Sequence, residues 1–363
     1  MPWCPEIFRS IFLHPNGSDS VKIAPCCQAH ESEIKNKNFD FTNNEFLNKL
    51  RDENANGVKS DECGRCWESE DNNAYSRRQS SIDFYSDVEF GSADVELNTL
   101  DFNVNWACNL ACIMCSAEYS STWAQELKHS QTNIDIQNKK FHTQNKILLD
   151  MDLSKLKLVH FNGGEPLIND EHCEVLDQID LSECKITYNT NGTKYPTSRA
   201  LALWQRAKSV RVFFSIDAIE GPFEYIRWNA SWSDTQNNIK RFIAEAPSNV
   251  MFGLNVTVGA YNLLEMCDLW NWYQTDLLTN REGDLTDFNW QVAYGFNHTD
   301  ITQDTKDKAL DMLYPIKGLT SLYNSIRAGY DVKPSDKWIN ELDIIDKRRG
   351  TNWRKTLAIG KFY

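Results

Sequence analysis

Two periodicities alternate along the middle of the chain. Apolar runs at 96–103, 156–161, 185–189, 210–216, 251–258 and 288–294 have strand length. Between them, 117–128, 170–179, 198–207, 233–246 and 263–273 carry apolar residues at helical spacing. Six strands alternating with helices predict a parallel β/α architecture, because parallel neighbours need crossover connections. The segment 129–150, rich in Gln, Asn and Lys, reads as an insertion. Residues 299–363 contain no clear strand and read as helices packed outside the strands. No internal repeat is present.

Residues 1–92 follow a different pattern. Apolar stretches from Ile7 to Leu13 and from Val21 to Ala24 flank His14-Pro15-Asn16-Gly17, a turn between two strands. A helix is expected at 43–52, where Phe46, Leu47 and Leu50 share a face. The polar segment 68–92 reads as a connector. That is a small core for so many residues, and a bound metal would explain how it stays folded. The chain thus divides into 1–92, 93–298 and 299–363.

Composition narrows the chemistry. The chain has 363 residues, 41% hydrophobic and 25% charged, with a net charge of −13. This acidity argues against gripping nucleic-acid backbones, which rests on clustered Lys and Arg. No apolar run is long enough to span a membrane, and Met1-Pro2-Trp3-Cys4-Pro5-Glu6 does not begin a secretion signal. A cytoplasmic, reducing setting is therefore expected. There, eleven cysteines are thiols or metal ligands rather than disulfides.

The cysteines fall into two sets. Cys108-Asn-Leu-Ala-Cys112-Ile-Met-Cys115 is the tighter one. Its spacing could place three small residues on one helical face, but Asn103, Asn105 and Asn109 favour a loop. Zinc would need a fourth ligand, and no Cys or His follows until His129. Three thiolates can hold three irons of a four-iron cluster and leave the fourth open to a small molecule. The loop follows the first strand of the alternating region, and Gly163-Gly164-Glu165-Pro166 follows the second. Thr190-Asn191-Gly192, Ser215-Ile216-Asp217 and Asn255-Val256-Thr257 follow or close later strands. In parallel β/α folds, chemistry gathers at this end of the strands.

Over 93–298 these motifs, in this order, resemble the radical S-adenosylmethionine (SAM) superfamily. The resemblance implies an incomplete (β/α)6 TIM-like barrel, a [4Fe-4S] cluster on Cys108, Cys112 and Cys115, and SAM bound at its open iron. In that family, one-electron reduction cleaves SAM to a 5′-deoxyadenosyl radical that abstracts hydrogen from a substrate. Gly163 and Gly164 permit close backbone approach, and Glu165 supplies an acceptor for the SAM amino group. By the same resemblance, Met114 lies against the adenine, where the family often has an aromatic residue. Ser215, Asp217 and Arg227 are implied contacts to SAM, the arginine through its carboxylate. Asn191, Asn255 and Thr257 are placed to meet ribose or substrate. A low-potential electron donor such as flavodoxin or ferredoxin is implied as a partner.

The second set is Cys4, the pair Cys26-Cys27, and Cys63-Gly64-Arg65-Cys66-Trp67. A C-x2-C turn brings two thiolates to one metal. This segment resembles the SPASM/twitch modules that carry an auxiliary four-iron cluster, although those commonly follow the barrel. Four ligands suffice: Cys4, Cys26, Cys63 and Cys66, with Cys27 the alternative to Cys26. Structural zinc is the competing reading. Relatives with such modules often modify peptides, so a peptide or protein side chain is the expected substrate. A small-molecule or nucleoside precursor is the alternative within the class, and a non-catalytic electron carrier or scaffold the alternative outside it. Cys173, Cys184 and Cys267 read as buried small residues. The tail with Lys347, Arg348, Arg349, Arg354, Lys355 and Lys361 reads as a solvated basic face.

Overall fold

A computed structural model describes residues 2–35, 39–71, 76–278 and 285–363. The fold is α/β on a mainly parallel sheet, as the alternating pattern predicts. The chain forms two compact units. One comprises Met1–Trp106, His129–Tyr188 and Ser198–Val210; the other comprises Ala107–Lys128, Asn189–Thr197 and Arg211–Tyr363.

In the first unit, β1 (Ser10–Pro15) and β2 (Val21–Ala24) form the expected hairpin, with Pro15 opposite Val21. The turn lies slightly later than expected, where Gly17 N–H donates to Ser20 O at 3.0 Å. β3 (Ser32–Ile34) extends the hairpin antiparallel to β2. β1 then pairs in parallel with β4 (Thr99–Asn103), so the N-terminal strands continue the sheet of the alternating region. β5 (Leu158–Asn162) and β6 (Lys185–Thr190) follow in parallel, giving the order β3-β2-β1-β4-β5-β6. Val159 and Phe161 are fully buried, and Phe161 stacks on Tyr188 with ring centroids 4.8 Å apart. Each such side chain contributes roughly 1.5–3 kcal/mol by leaving water. The alternate positions Asp101, His160 and Asn162 carry polar groups on the opposite face, as period-two geometry requires.

Two segments depart from expectation. The insertion 129–150 is a helix, Gln131–Leu149, capped by the Ser130 side chain. It buries Phe141, Gln144, Ile147 and Leu148. Its first half is polar and solvated, which hides the period from a sequence reading. Gln144 Nε2 donates to Asn103 O at 2.6 Å and Asn145 Nδ2 to Val104 O at 3.2 Å, satisfying carbonyls at the end of β4. The connector 68–92 likewise contains helix: Gly64–Asp71 runs into it, and Arg77–Phe84 begins at a capping box of Ser76 and Gln79. The expected 43–52 helix is Glu45–Ala55, capped by Asn44.

The second unit contains most of β7 (Ser209–Phe214), then β8 (Val250–Val258) and β9 (Leu285–Val292), in the order β7-β8-β9. β8 and β9 are parallel, with a register irregularity between Phe252 and Gly253. The expected helix at 117–128 shortens to Ser121–Glu126, because Ser120 caps it. The one at 263–273 breaks into 3-10, α and π turns. The C-terminal region is helical as expected, with helices Gln303–Leu313, Thr320–Ala328 and Lys337–Arg349. Trp338, Trp353 and Tyr363 pack there edge to face. Among the described residues no helix is long and apolar enough to cross a membrane.

Candidate functional site

The three-cysteine segment of the second unit is a loop, which removes the reading of thiols along a helical face. Leu110, Ala111 and Ile113 are buried and anchor it. Ala111 N–H donates to Trp228 O (3.1 Å) and Ile113 N–H to Ile226 O (2.9 Å), a short strand-like pairing. Its carbonyls are taken by side chains of the following capped helix. Thr122 Oγ1 donates to Cys108 O at 2.6 Å, Ser120 Oγ to Leu110 O at 2.6 Å, and Trp123 Nε1 to Cys112 O at 2.8 Å. With its backbone fixed this way, the loop leaves its thiols for another purpose. Cys108 and Cys112 are buried and Cys115 is half-buried. Burial pushes the Cys112 thiol up and the Cys115 thiol to about 12. Neutral thiols of this kind ionise when a metal cation arrives.

Two side chains reach the sulfurs. Arg227 Nη1 lies 3.8 Å from Cys112 Sγ, and Asn191 Nδ2 lies 3.9 Å from Cys108 Sγ. Arg227 Nη2 pairs with Asp217 Oδ2 at 2.7 Å, and Asp217 Oδ1 accepts from Thr257 N–H at 2.7 Å. The Arg227–Asp217 contact is close but poorly aligned for a hydrogen bond, and Arg227 Nε has no partner among the described residues. Burial opposes the charge on Arg227, but Asp217, Cys112 and Tyr261 together more than offset it and the guanidinium stays charged. Burial raises Asp217 while Arg227 pulls it back. Asn191 also donates to Asn109 Oδ1 (3.1 Å) and accepts from Thr193 N–H (2.9 Å), so it braces the cysteine loop. Met114 packs beside Cys108 and Cys112. Ser215 N–H donates to Thr190 O (2.7 Å), and Asn255 Nδ2 reaches Asn189 Oδ1 (2.5 Å).

One participant escapes the sequence reading. Arg349, expected on a solvated basic face, has a buried side chain, only 2% exposed. Its Nη2 donates to Ala111 O at 2.8 Å, and its guanidinium pairs with Glu126 at 3.1 Å. Helix amphipathicity alone could not mark it, because both partners lie far away in sequence.

In the first unit, Gly163 adopts φ +101°, and a Cβ there would lie 2.6 Å from Asn105 O. Gly164 N–H donates to that same oxygen at 2.8 Å. The pair of glycines therefore lets two strand-end loops touch backbone to backbone. Glu165 is fully buried and caps the turn Pro166–Ile168, accepting from Leu167 N–H at 3.0 Å.

Also in this unit, Cys4, Cys26, Cys63 and Cys66 line one cavity, together with Glu6 and Arg78. Cys27 is exposed and does not line it. Asn54 holds Cys4 N–H at 3.2 Å, and His30 N–H ties the Cys26 turn to Glu62 O at 2.9 Å. Burial raises all four thiols, Cys63 to about 12. Arg77 forks onto Glu6 (2.6–3.1 Å), and Arg78 pairs with Glu70 at 2.8 Å while donating to Trp3 O at 3.0 Å. Among the described residues, no three His, Cys, Asp or Glu side chains converge as a single metal ion would require. Cys173 and Cys184 are fully buried and Cys267 half-buried, apart from both sets.

Residues 103–261 match the family model for the radical SAM superfamily. Among solved structures, the chain is similar to Streptococcus suis SuiB bound to S-adenosylmethionine: 13% identity, TM-score 0.31, covering 78% of this chain and 72% of that one. A second SuiB structure gives 12% identity and TM-score 0.31, covering 78% and 71%. No curated protein matches the chain.

Proposed function

The chain belongs to the radical SAM superfamily through residues 103–261, and from that premise we propose that it modifies a peptide or protein side chain by hydrogen abstraction. The family implies a [4Fe-4S] cluster with SAM, which Cys108, Cys112 and Cys115 would hold and which would supply one-electron reductive cleavage of SAM to a 5′-deoxyadenosyl radical. The observation that carries this reading is the cysteine loop. Its carbonyls and amides are tied to neighbouring chain, and its three buried or half-buried thiols form no disulfide.

The residues divide the work. Cys108, Cys112 and Cys115 hold the cluster, while Asn191 and Arg227 lend N–H groups to two of their sulfurs. Asp217 keeps Arg227 in place and is itself fixed by the Thr257 amide. Gly163 and Gly164 shape a loop that admits close backbone approach, and Glu165 offers a buried carboxylate for an ammonium group. Met114 gives apolar surface to an adenine, and Ser215 and Asn255 supply polar groups for ribose or substrate. A flavodoxin or ferredoxin provides the electron.

Cys4, Cys26, Cys63 and Cys66 hold an auxiliary four-iron cluster. The supporting observation is that the four thiols line one cavity.

Anaerobic reconstitution tests the whole reading. About eight irons per chain are expected, from two four-iron clusters, together with 5′-deoxyadenosine that disappears in Cys112→Ala. Iron binding without SAM cleavage under strong reductant would instead identify an electron carrier. Zinc retained at the N-terminal cavity would remove the auxiliary cluster.

A further inference from the structure

Arg349 ends the helix Lys337–Arg349, and Gly350 follows in the left-handed conformation that stops it (φ +70°). The same helix end is bolted down by Asp346, whose Oδ1 accepts from Tyr225 O–H at 3.0 Å and whose Oδ2 accepts from Trp353 N–H at 2.7 Å. Tyr225 is two residues from Arg227, so the helix end and the arginine at Cys112 share one anchor.

From this anchor the Arg349 side chain runs under the cysteine loop. Its guanidinium lies 4.7 Å from the ring centre of Trp123 and 5.1 Å from that of Trp228. Both Trp residues already grip the loop: Trp123 through Cys112 O, and Trp228 through Ala111 N–H. Arg349 adds the Ala111 carbonyl, and Glu126 takes its Nε through both carboxylate oxygens at 3.2 Å. Nη1 is buried and has no partner among the described residues.

We infer that Arg349 is a positioning residue for the catalytic cluster: it fixes the loop at Ala111 and sets the charge felt at Cys112, with Glu126 as its counter-charge. This rests on the reading that Cys108, Cys112 and Cys115 hold iron. A four-iron cluster on three thiolates becomes more negative when it accepts an electron. A buried cation at its edge therefore favours the reduced state, and a carboxylate behind that cation moderates the effect. Arg227 with Asp217 repeats the arrangement beside the same cysteine. Two carboxylate-backed guanidinium groups thus meet the cysteine loop, one at Ala111 O and one at Cys112 Sγ.

The test is a potentiometric titration of the reconstituted holoenzyme, followed through the electron paramagnetic resonance signal that changes on adding SAM. Arg349→Met should lower the reduced-to-oxidised ratio at the wild-type midpoint at least tenfold, a shift of about 59 mV for one electron. Arg349→Lys keeps the charge and should stay within threefold of wild type. Glu126→Gln should move the ratio the other way, upward by threefold or more. A purely structural role would not reverse sign between these variants. If Arg349→Met fails to fold, Glu126→Gln and Arg349→Lys still decide. Ratios within twofold of wild type in both Arg349→Met and Glu126→Gln, or shifts in the same direction, overturn the inference. A wild-type protein with no SAM-responsive iron signal instead overturns the cluster reading beneath it.

Discussion

Cys26 and Cys27 are neighbours in the chain, but they occupy different environments. Cys26 is 8% exposed and lines the N-terminal cavity, whereas Cys27 is exposed beside it. With the cavity holding a cluster, Cys26→Ala should reduce iron from about eight to about four per chain and Cys27→Ala should leave it unchanged. Iron analysis after anaerobic reconstitution reads this directly. At this scale the sequence was informative wherever spacing itself encodes chemistry. C-x3-C-x2-C and Gly163-Gly164-Glu165 are local patterns, and their local geometry could be anticipated. Arg349 could not be found this way, and Asn191, expected at ribose or substrate, could not be expected at Cys108. Each acts through a partner that only folding brings near: Ala111 lies 238 residues from Arg349, and Cys108 lies 83 from Asn191.

Among the elements, the helix Gln131–Leu149 shows why an unpromising stretch can matter. Its Gln144 side chain is fully buried and satisfies a carbonyl at the end of β4, just ahead of the site loops. Gln144→Ala leaves Asn103 O without that donor and should destabilise the fold by about 1–3 kcal/mol. Urea denaturation at neutral pH measures the loss. The six-strand alternation was legible because strands such as β5 to β8 bury β-branched or aromatic residues. The helix was not, because its buried positions are confined to the C-terminal half and its N-terminal turns, apart from Ile134 and Ile136, are polar. The N-terminal hairpin was also legible, but its continuation into the β1–β4 pairing was not, since strand order is not written in periodicity.

Taken as a whole, the molecule carries an acid sensitivity built into two buried histidines. Burial lowers His172 and His298 to about 4, while an unfolded histidine titrates near 6.5. Between those values the unfolded chain binds more protons. Stability is therefore fully present above about pH 6.5 and declines as pH falls toward 4, by at most on the order of 3 kcal/mol for each group. His298 accepts or donates one contact, to Ser325 Oγ at 2.9 Å. His298→Gln can keep that contact without a titrating ring. It should flatten the slope between pH 7 and 5, and denaturation midpoints at the two pH values check it.

The reach from Ala111 to Arg349 also has a consequence in time. At roughly 5–20 residues per second, a ribosome needs about 10–50 s to travel from one codon to the other. Throughout that interval the nascent chain displays three cysteines without the Arg349 brace at Ala111. Iron delivered early would meet an unbraced segment exposed to oxygen, so insertion belongs after the chain's later helices have docked.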